Sequence, residues 1–523
     1  MKKLIVISIC LGLLLSFYSC RNFEDMNENP NEASAVTTPN LLSGAQKKML
    51  DYIYDNWFSG RQSLLYSQYW AQNNYTEEDR YQIRESVNNN YFNALYTVAG
   101  NLVMIEKMNT DEATKGDASV FGSNNNQIAV AKILKVWLIQ MMADTWGAVP
   151  YSEAFKLDEN IFYPKYDDLP TLYSDLIKEL DAAIALISPN EIAFSKGDLI
   201  YNGNASLWRK FGNSLKCRLA VRMSKVDANW KTYIQQAIAS GVFTSNADQA
   251  LFKYAAASPN ECAFYRGFFV ENRNDFSLAK PLVNIMKGLN DELNTRTNVF
   301  EGVLDPRLKI FAGTNADIDG VPYGVPSKQM ASIAEKFPDF TTTKPVFLNP
   351  DYSVQFMTYA ELCFILSEFN NFDVTNYEKG IRASIEWWSS LSGVAVSGAE
   401  IDAYVDQVND VVDAERVSTQ KYIHLFTNGN ESWAEYRRTG YPSLLIKPGD
   451  ITTVINGVNE IFVPLSDTKG DIPARIKYPT NESNLNPEGF RNAVANLKDG
   501  TNNYYSKMFW DVRTTSNPHP ANK

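Results

Sequence analysis

Apolar residues recur at helical spacing through most of the sequence. One stripe consists of Leu207, Phe211, Leu215, Leu219 and Met223, each four positions after the last. Residues four apart lie on one face of an α-helix, so the stripe predicts an amphipathic helix with that face in the core. Similar stripes run through Leu172, Leu176, Leu180 and Ile184, through Val130, Leu134, Trp137 and Met141, and through Ile381, Ile385 and Trp388. Together they predict roughly ten to twelve helices and a mainly α fold.

The predicted helices have recognisable starts. The candidate N-caps are Asp168 ahead of Pro170, Ser206, Ser353, and Thr375 with Glu378 at capping-box spacing. Residues 356–369 are apolar on nearly every helical face. Because such a helix has no polar side to turn towards water, we expect it to be buried.

Three long stretches interrupt the helical pattern, at residues 241–275, 297–352 and 440–487. They are rich in Gly, Pro, Asn, Asp and aromatic residues, and strand signals are few. Their aromatic content indicates that they pack against the helices. The helices form loose pairs that resemble tetratricopeptide hairpins, although no fixed period of about 34 residues survives. We therefore predict one domain over residues 39–523, a helical scaffold with a loop-rich variable face.

The N-terminus predicts a lipoprotein signal. Two lysines follow Met1, residues 4–15 are almost all apolar, and Ser19 directly precedes Cys20. An apolar run of this length suits a signal peptide and is too short to span a bilayer. We predict a signal peptide at residues 1–19, a lipid such as palmitate on Cys20, and a polar tether over residues 20–38. The alternative is an ordinary cleaved signal with a chance cysteine.

Composition and charge exclude several function classes. The net charge is −11, and no run of Lys or Arg could form a nucleic-acid footprint. His424 and His519 are the only histidines, so His-based triads and His-rich metal sites lack their parts. Cys217, Cys262 and Cys363 are far apart and predict no disulfide framework. We predict a protein that is not an enzyme and has no cofactor.

One segment resembles part of a calcium loop. Asn315, Asp317, Asp319 and Gly320 copy the first half of an EF-hand, but Pro326 stands where the bidentate Glu is required. Two interpretations stay open. The segment is either an Asp-Gly turn, which we favour, or a Ca²⁺ site near Asp317 and Asp319 completed by distant residues.

Aromatic residues make up 13% of the chain and suggest a sugar-binding surface. An aromatic ring can stack on the apolar face of a sugar while nearby amides and acids bind its hydroxyls. The candidate binding residues are Trp70, Asn73, Tyr75, Arg80 and Tyr323. If residues 66–75 end a helix, Trp70 and Asn73 share one side of its last turn. The alternative is that Trp70 belongs to the core; Phe268, Phe269 and Phe276 are weaker candidates, and Trp387 and Trp388 are expected in the core.

Several motifs together resemble one family. Residues 144–154 (DTWGAVPYSEA), 433–442 (WAEYRRTGYP) and 475–487 (RIKYPTNESNLNP) are similar to segments of SusD/RagB-type lipoproteins. Residues 305–308, 509–511 and 27–31 fit the same family in the same order. Within the two longest motifs, Asp144, Glu153, Glu435, Arg437 and Arg438 are expected to have structural roles.

The resemblance implies a fold, a partner and a location. The fold is a set of tetratricopeptide-like helix pairs, and the partner is a SusC/RagA-like TonB-dependent transporter. The implied role is to bind an oligosaccharide, or in some members a peptide, at the outer surface of the outer membrane. Acidic residues after the cysteine, here Glu24 and Asp25, match a surface-export signal. Glycan-binding relatives also use an aromatic and an amide in the region of Trp70 and Asn73.

Two other classes of function remain open from the sequence alone. A surface glycoside hydrolase needs a pair of carboxylates about 5–10 Å apart, and a sequence with 60 Asp and Glu residues does not rule out such a pair. A structural adaptor built from helical repeats would bind a protein partner and no soluble sugar. No motif singles out a catalytic acid, so we favour nutrient capture.

Overall fold

Helix pairs form the body of the protein in the computed structural model, which describes residues 36–315 and 317–520. Thirteen helices of at least eight residues lie in this part of the chain, one more than the upper end of the predicted range. They are α1 (Thr38–Ile53), α2 (Glu85–Thr110), α3 (Asn124–Trp146), α4 (Leu169–Leu186), α5 (Ala205–Arg222), α6 (Trp230–Ser240), α7 (Lys280–Lys287), α8 (Tyr359–Phe369), α9 (Val374–Ser392), α10 (Gly398–Val408), α11 (Ala414–His424), α12 (Gly429–Thr439) and α13 (Pro487–Ala495).

The strands are short and pair two by two. They are β1 (Trp70–Gln72), β2 (Val149–Pro150), β3 (Tyr166–Asp167), β4 (Ala250–Lys253), β5 (Phe276–Leu278), β6 (Ser353–Met357), β7 (Ile451–Ile455) and β8 (Val458–Ile461). The antiparallel pairs are β1–β5, β2–β3, β4–β6 and β7–β8. Most lie in or beside the long irregular stretches. Short paired strands therefore hold these stretches in place.

Consecutive helices pack on one another, as the tetratricopeptide-like arrangement predicts. Helix α2 packs on α1 and α3, α3 on α4, α5 on α6, and α8 on both α9 and α11. The predicted stripe residues of α3 and α5 are buried, except that Leu207 is only partly buried. The large main core also contains Trp387 and Trp388, as expected. The prediction of a mainly helical fold is confirmed.

Helix α2 connects two distant parts of the molecule. At its start, the Arg84 guanidinium binds the carboxylate of Glu78 at 2.6 Å. At its end, Asn109 donates to the side-chain oxygen of Gln127, which also accepts from Thr38 at 2.6 Å. A helix of 26 residues is about 39 Å long. The first described residues of the chain therefore lie one helix length from the loop that precedes α2.

The helix starts predicted at Ser206 and Ser353 were wrong. Asn204 rather than Ser206 caps α5, and its side chain accepts from the N–H of Leu207. Ser353 begins strand β6, and α8 starts only after Thr358, whose hydroxyl accepts from the N–H of Glu361. The apolar stretch 356–369 is therefore a strand end followed by a helix, because β6 pairs with the distant strand β4.

The other predicted caps gave a mixed result. Asp168 does cap α4, where its carboxylate accepts from the N–H of Thr171. Thr375 lies inside α9, because the cap of that helix is Asp373. A capping box is present instead at Ser397, the N-cap of α10.

A buried network of charges ties α3, α5, α8 and α12 together. The Arg222 guanidinium contacts Glu431 at 2.6 Å, Asp144 at 3.4 Å, and Glu435. Arg438 binds Glu435 at 2.8 Å and, in a second pair, a carboxylate of α8. These buried ion pairs fit the structural roles predicted for Asp144, Glu435 and Arg438.

The two histidines have different surroundings. His424 is fully buried at the end of α11, where its ring bonds Thr358 at 2.6 Å and Ser384 at 2.9 Å. Burial lowers the pKa of His424 well below its ordinary value, so the ring is neutral. His519 stacks on Tyr441 with 4.1 Å between ring centroids. The C-terminal tail therefore packs against the loop after α12.

Candidate functional site

Trp70 does not form the predicted binding platform. It lies in strand β1 opposite Leu278, and its side chain is 0% exposed. Side chains alternate between the two faces of a strand, so Trp70 and Asn73 do not share a side as they would on a helix. The Trp70 ring is surrounded by Phe264, Phe268, Phe276, Phe340 and Phe347. A ring enclosed in this way has no face on which a sugar can stack.

Two other predicted residues are also set back from the surface. Tyr323 is 1% exposed and packs on Phe462, so it cannot serve as an open platform either. Arg80 is half-buried, and its carbonyl accepts from the N–H of Leu465 at 2.6 Å. Both residues are held by the stretch that follows β8.

Asn73 and Tyr75 do reach the surface. The N–H of Asn73 donates to the carbonyl of Asp275 at 3.0 Å, and its side-chain amide is within 3.4 Å of the carbonyl of Phe337. Tyr75 is 54% exposed and has a φ of +54°. Aromatic residues rarely adopt this left-handed conformation, and such strained residues cluster at functional sites.

Trp57 is a second accessible ring, which the sequence analysis did not identify. It is half-buried in the turn after α1, and its indole N–H donates to Glu271 Oε2 at 2.6 Å. The guanidinium carbons of Arg61 and Arg273 lie 4.7 Å and 5.3 Å from the ring centroid. Its only sequence signal is a tryptophan in a turn-rich segment after a helix.

The segments that carry Trp57 and Tyr75 meet at Asp275. Its carboxylate binds Arg61 at 2.7 Å and Arg273 at 3.1 Å, and its carbonyl accepts from Asn73. Phe269, which is exposed, lies in the adjoining π-helical turn Arg266–Val270. Such turns are frequent at functional sites. We call the surface formed by Trp57, Asn73, Tyr75, Phe269 and Arg273 the loop face.

Buried contacts beneath the loop face hold its segments in place. Arg61 is buried between Asp275 and Glu78, and its burial lowers the pKa of the guanidinium from its ordinary value. Gly267 lies so close to Asn56 that an added Cβ would be 2.5 Å from the Asn56 side chain. The two segments therefore interlock, and Trp57 is positioned without a ligand.

Asp55 makes the stability of the Trp57 turn depend on pH. Its carboxylate accepts from the N–H groups of Phe58 and Ser59, and burial raises its pKa to about 7. This pKa is above that of the unfolded chain, so the protonated Asp55 carboxyl stabilises the fold. Its contribution to the free energy of unfolding is complete below about pH 4 and is lost as the pH rises through 7. The free energy of unfolding should therefore fall between pH 5 and pH 8, and in Asp55→Asn this fall should be smaller by more than about 1 kcal/mol. Urea unfolding at both pH values measures this, and an unchanged difference would contradict the assignment.

Cys20 and the signal peptide lie outside the described residues. Over residues 36–315 and 317–520, no three His, Cys, Asp or Glu side chains are grouped so as to hold a metal ion. The Ca²⁺ site near Asp317 and Asp319 stays a prediction. No helix in the described part is long and apolar enough to cross a membrane.

Residues 30–479 match the model of the SusD-like family, described as "Starch-binding associating with outer membrane". The chain belongs to this family. No curated protein matches the sequence. The resemblance seen in the motifs is therefore confirmed for the SusD-like family, whose members are associated with the outer membrane.

Solved structures share the SusD-like fold along almost the whole chain. A chitin-binding protein is 25% identical with a TM-score of 0.72, covering 91% of this chain and 100% of its own. A SusD homologue from Parabacteroides distasonis is 21% identical with a TM-score of 0.70, covering 91% and 98%. A chitin-binding SusD homologue from Flavobacterium johnsoniae is 22% identical with a TM-score of 0.68, covering 90% and 99%.

Proposed function

We propose that this SusD-like protein binds an oligosaccharide on the loop face and passes it unchanged to a SusC-like TonB-dependent transporter. The observation that carries the proposal is the partly accessible ring of Trp57, held by Glu271, on a surface whose neighbouring segments carry the exposed rings of Tyr75 and Phe269. Such rings can stack on sugar units, while the amide of Asn73 and the guanidinium of Arg273 can bind hydroxyl groups.

The relatives support a glycan rather than a peptide. The family description names starch, and two of the similar structures are chitin-binding proteins. Lipid attachment at Cys20, a tether over residues 20–38 and a position facing the cell exterior belong to the same proposal. They would hold the loop face where an extracellular sugar can reach it, since several acyl chains anchor a protein stably.

The acids next to the loop face are already engaged. Glu271 accepts from the Trp57 indole, and Asp275 binds two arginines. A glycosidase needs one carboxylic acid to donate a proton and a second carboxylate to act as nucleophile or base. These contacts favour binding without hydrolysis on this face.

We expect Trp57→Ala to weaken oligosaccharide binding about tenfold or more, because a central aromatic anchor carries a large share of binding energy. Calorimetry of the mature protein with chitin and starch oligosaccharides, followed by product analysis, measures this. Phe162→Ala is the matched control, since Phe162 is an exposed ring on the separate loop between β2 and β3. Cleaved sugar, or equal losses in both variants, would contradict the proposal. Both variants should still co-purify with a β-barrel partner from outer membranes, which separates sugar binding from assembly.

A further inference from the structure

A cavity of about 370 Å³ lies on the loop-rich side of the protein and shares no lining residue with the loop face. It is bounded by the first turns of α7, the loop 289–293, and strand β7. Its apolar wall consists of Pro281, Leu289, Leu293, Leu444 and Ile446. This volume is within the range of small-molecule sites, and the wall is aliphatic rather than aromatic.

The charges around the cavity favour a cation. Asp291, Glu292 and Asp319 contribute three carboxylates, against the single ammonium group of Lys280. Within the described part of the chain, Glu292, Asp319 and Lys280 form no ion pair. Asp291 pairs with Arg296 at 3.9 Å and accepts from the Asn294 side chain at 2.8 Å. The cavity therefore offers two carboxylates, those of Glu292 and Asp319, that no ion pair among the described residues compensates.

One lining side chain lacks a hydrogen-bond partner. Thr452 of β7 is 4% exposed, and its hydroxyl has no partner among the described residues. An unsatisfied buried hydroxyl costs about 1–3 kcal/mol. Because Thr452 lines the cavity, a ligand group that reached its hydroxyl would offset this cost.

The rim of the cavity is also aliphatic and exposed. Leu289 and Leu293 are exposed on one side. Asn294 joins this loop to the backbone of Ile451 through two hydrogen bonds, at 3.0 Å and 2.9 Å. The β7–β8 hairpin adds the exposed side chains of Val454, Val458 and Ile461. Exposed apolar patches with a polar surround mark protein interaction sites. The only aromatic lining residue, Tyr323, is buried.

We propose that this cavity is the docking site for a protein partner that inserts a Lys or Arg side chain flanked by aliphatic residues. The aliphatic stem of such a side chain packs along Leu289 and Leu293, while its charged end reaches the carboxylates of Glu292 and Asp319. The flanking aliphatic residues cover the exposed side chains of the hairpin. This site goes beyond the oligosaccharide site, because its wall is aliphatic rather than aromatic and it shares no residue with the loop face.

The test uses the mature protein and two acetylated, amidated pentapeptides, Val-Leu-Arg-Leu-Val and the same sequence with Gln in place of Arg. We expect the Arg peptide to bind at least tenfold more tightly in calorimetry. The double variant Glu292→Gln/Asp319→Asn should weaken its binding fivefold or more. Asp117→Asn, which removes an exposed carboxylate elsewhere, should not.

Three results would overturn the proposal. The two peptides could bind equally, the double variant could bind as the wild type does, or a glucosamine trimer could bind the cavity more tightly than the Arg peptide. Circular dichroism and thermal unfolding check that the double variant is folded. Because both substitutions are at exposed positions, we expect its unfolding curve to match that of Asp117→Asn. Leu293→Ser is a second variant that leaves the charges in place and should also weaken the Arg peptide.

Discussion

Replacing Arg222 with methionine should lower the free energy of unfolding by about 3–5 kcal/mol, because it removes the cation that three buried carboxylates share. Arg222 is fully buried and contacts Asp144, Glu431 and Glu435. Methionine keeps most of the side-chain volume, so the loss would reflect charge rather than a cavity. Burial already raises the pKa of Asp144, an effect that Arg222 opposes. The loss should therefore be smaller at low pH, where a carboxylate with a raised pKa becomes protonated.

Urea unfolding at pH 7 and pH 5 measures both parts of this expectation. Arg382→Met is the matched control, since Arg382 forms an ion pair with Asp402 at the surface. Exposed ion pairs contribute about 0–1 kcal/mol, so this variant should be close to the wild type. An equal effect of the two substitutions would show that the buried network does not stabilise the fold.

Trp70→Ala should lower the free energy of unfolding by about 3–5 kcal/mol, as expected when a large aromatic side chain leaves a cavity in a packed core. Five phenylalanine rings surround Trp70, and none of them can move far without losing contacts of its own. Trp57→Ala removes a half-buried ring and should cost less than about 1 kcal/mol. Chemical unfolding of both variants measures the contrast.

The two tryptophans should also differ in ligand binding. Trp57→Ala should weaken oligosaccharide binding in a protein of normal stability. Trp70→Ala should affect binding only through the fraction of protein that remains folded. If Trp70→Ala left stability unchanged and abolished binding, Trp70 would be a binding residue and its placement in the core would be wrong.

Local pattern was enough to predict the helices but not the strands. The stripes in α3, α4 and α5 depend only on spacing within one helix, and all three helices were predicted. Ser353 and Trp70 were assigned to helices because their strand partners are distant in sequence. Strand β6 pairs with β4, and β1 pairs with β5 some two hundred residues later.

The candidate site depends on distant contacts in the same way. Trp57 is positioned by Glu271 and Arg273, which lie more than two hundred residues further along the chain. No spacing rule within a segment predicts such a contact. Tyr75 could be predicted because it lies in a short polar loop, and residues of this kind are usually exposed.

The family motifs identify the fold rather than the ligand. Arg475 donates to the carbonyl of Trp146 at 2.6 Å, and Arg437 donates to the carbonyl of Ala474 at 2.8 Å. The first and third motifs therefore bind each other inside the protein, and the second binds the residue that precedes the third. Under the proposed function, the loop face can vary with the oligosaccharide without changing these contacts.

The length of α2 has a mechanical consequence. Its first turn is linked through Glu78 and Arg61 to the loop face, and its last turn is linked through Gln127 to Thr38. Because α2 also packs on α1 and α3, it cannot swing by itself and holds the loop face about one helix length from the N-terminal end of the body. If the whole body tilted by about 15° around that end, the other end of the helix would move sideways by roughly 10 Å. Under the proposed function, such a tilt would move a bound sugar by about the width of a helix.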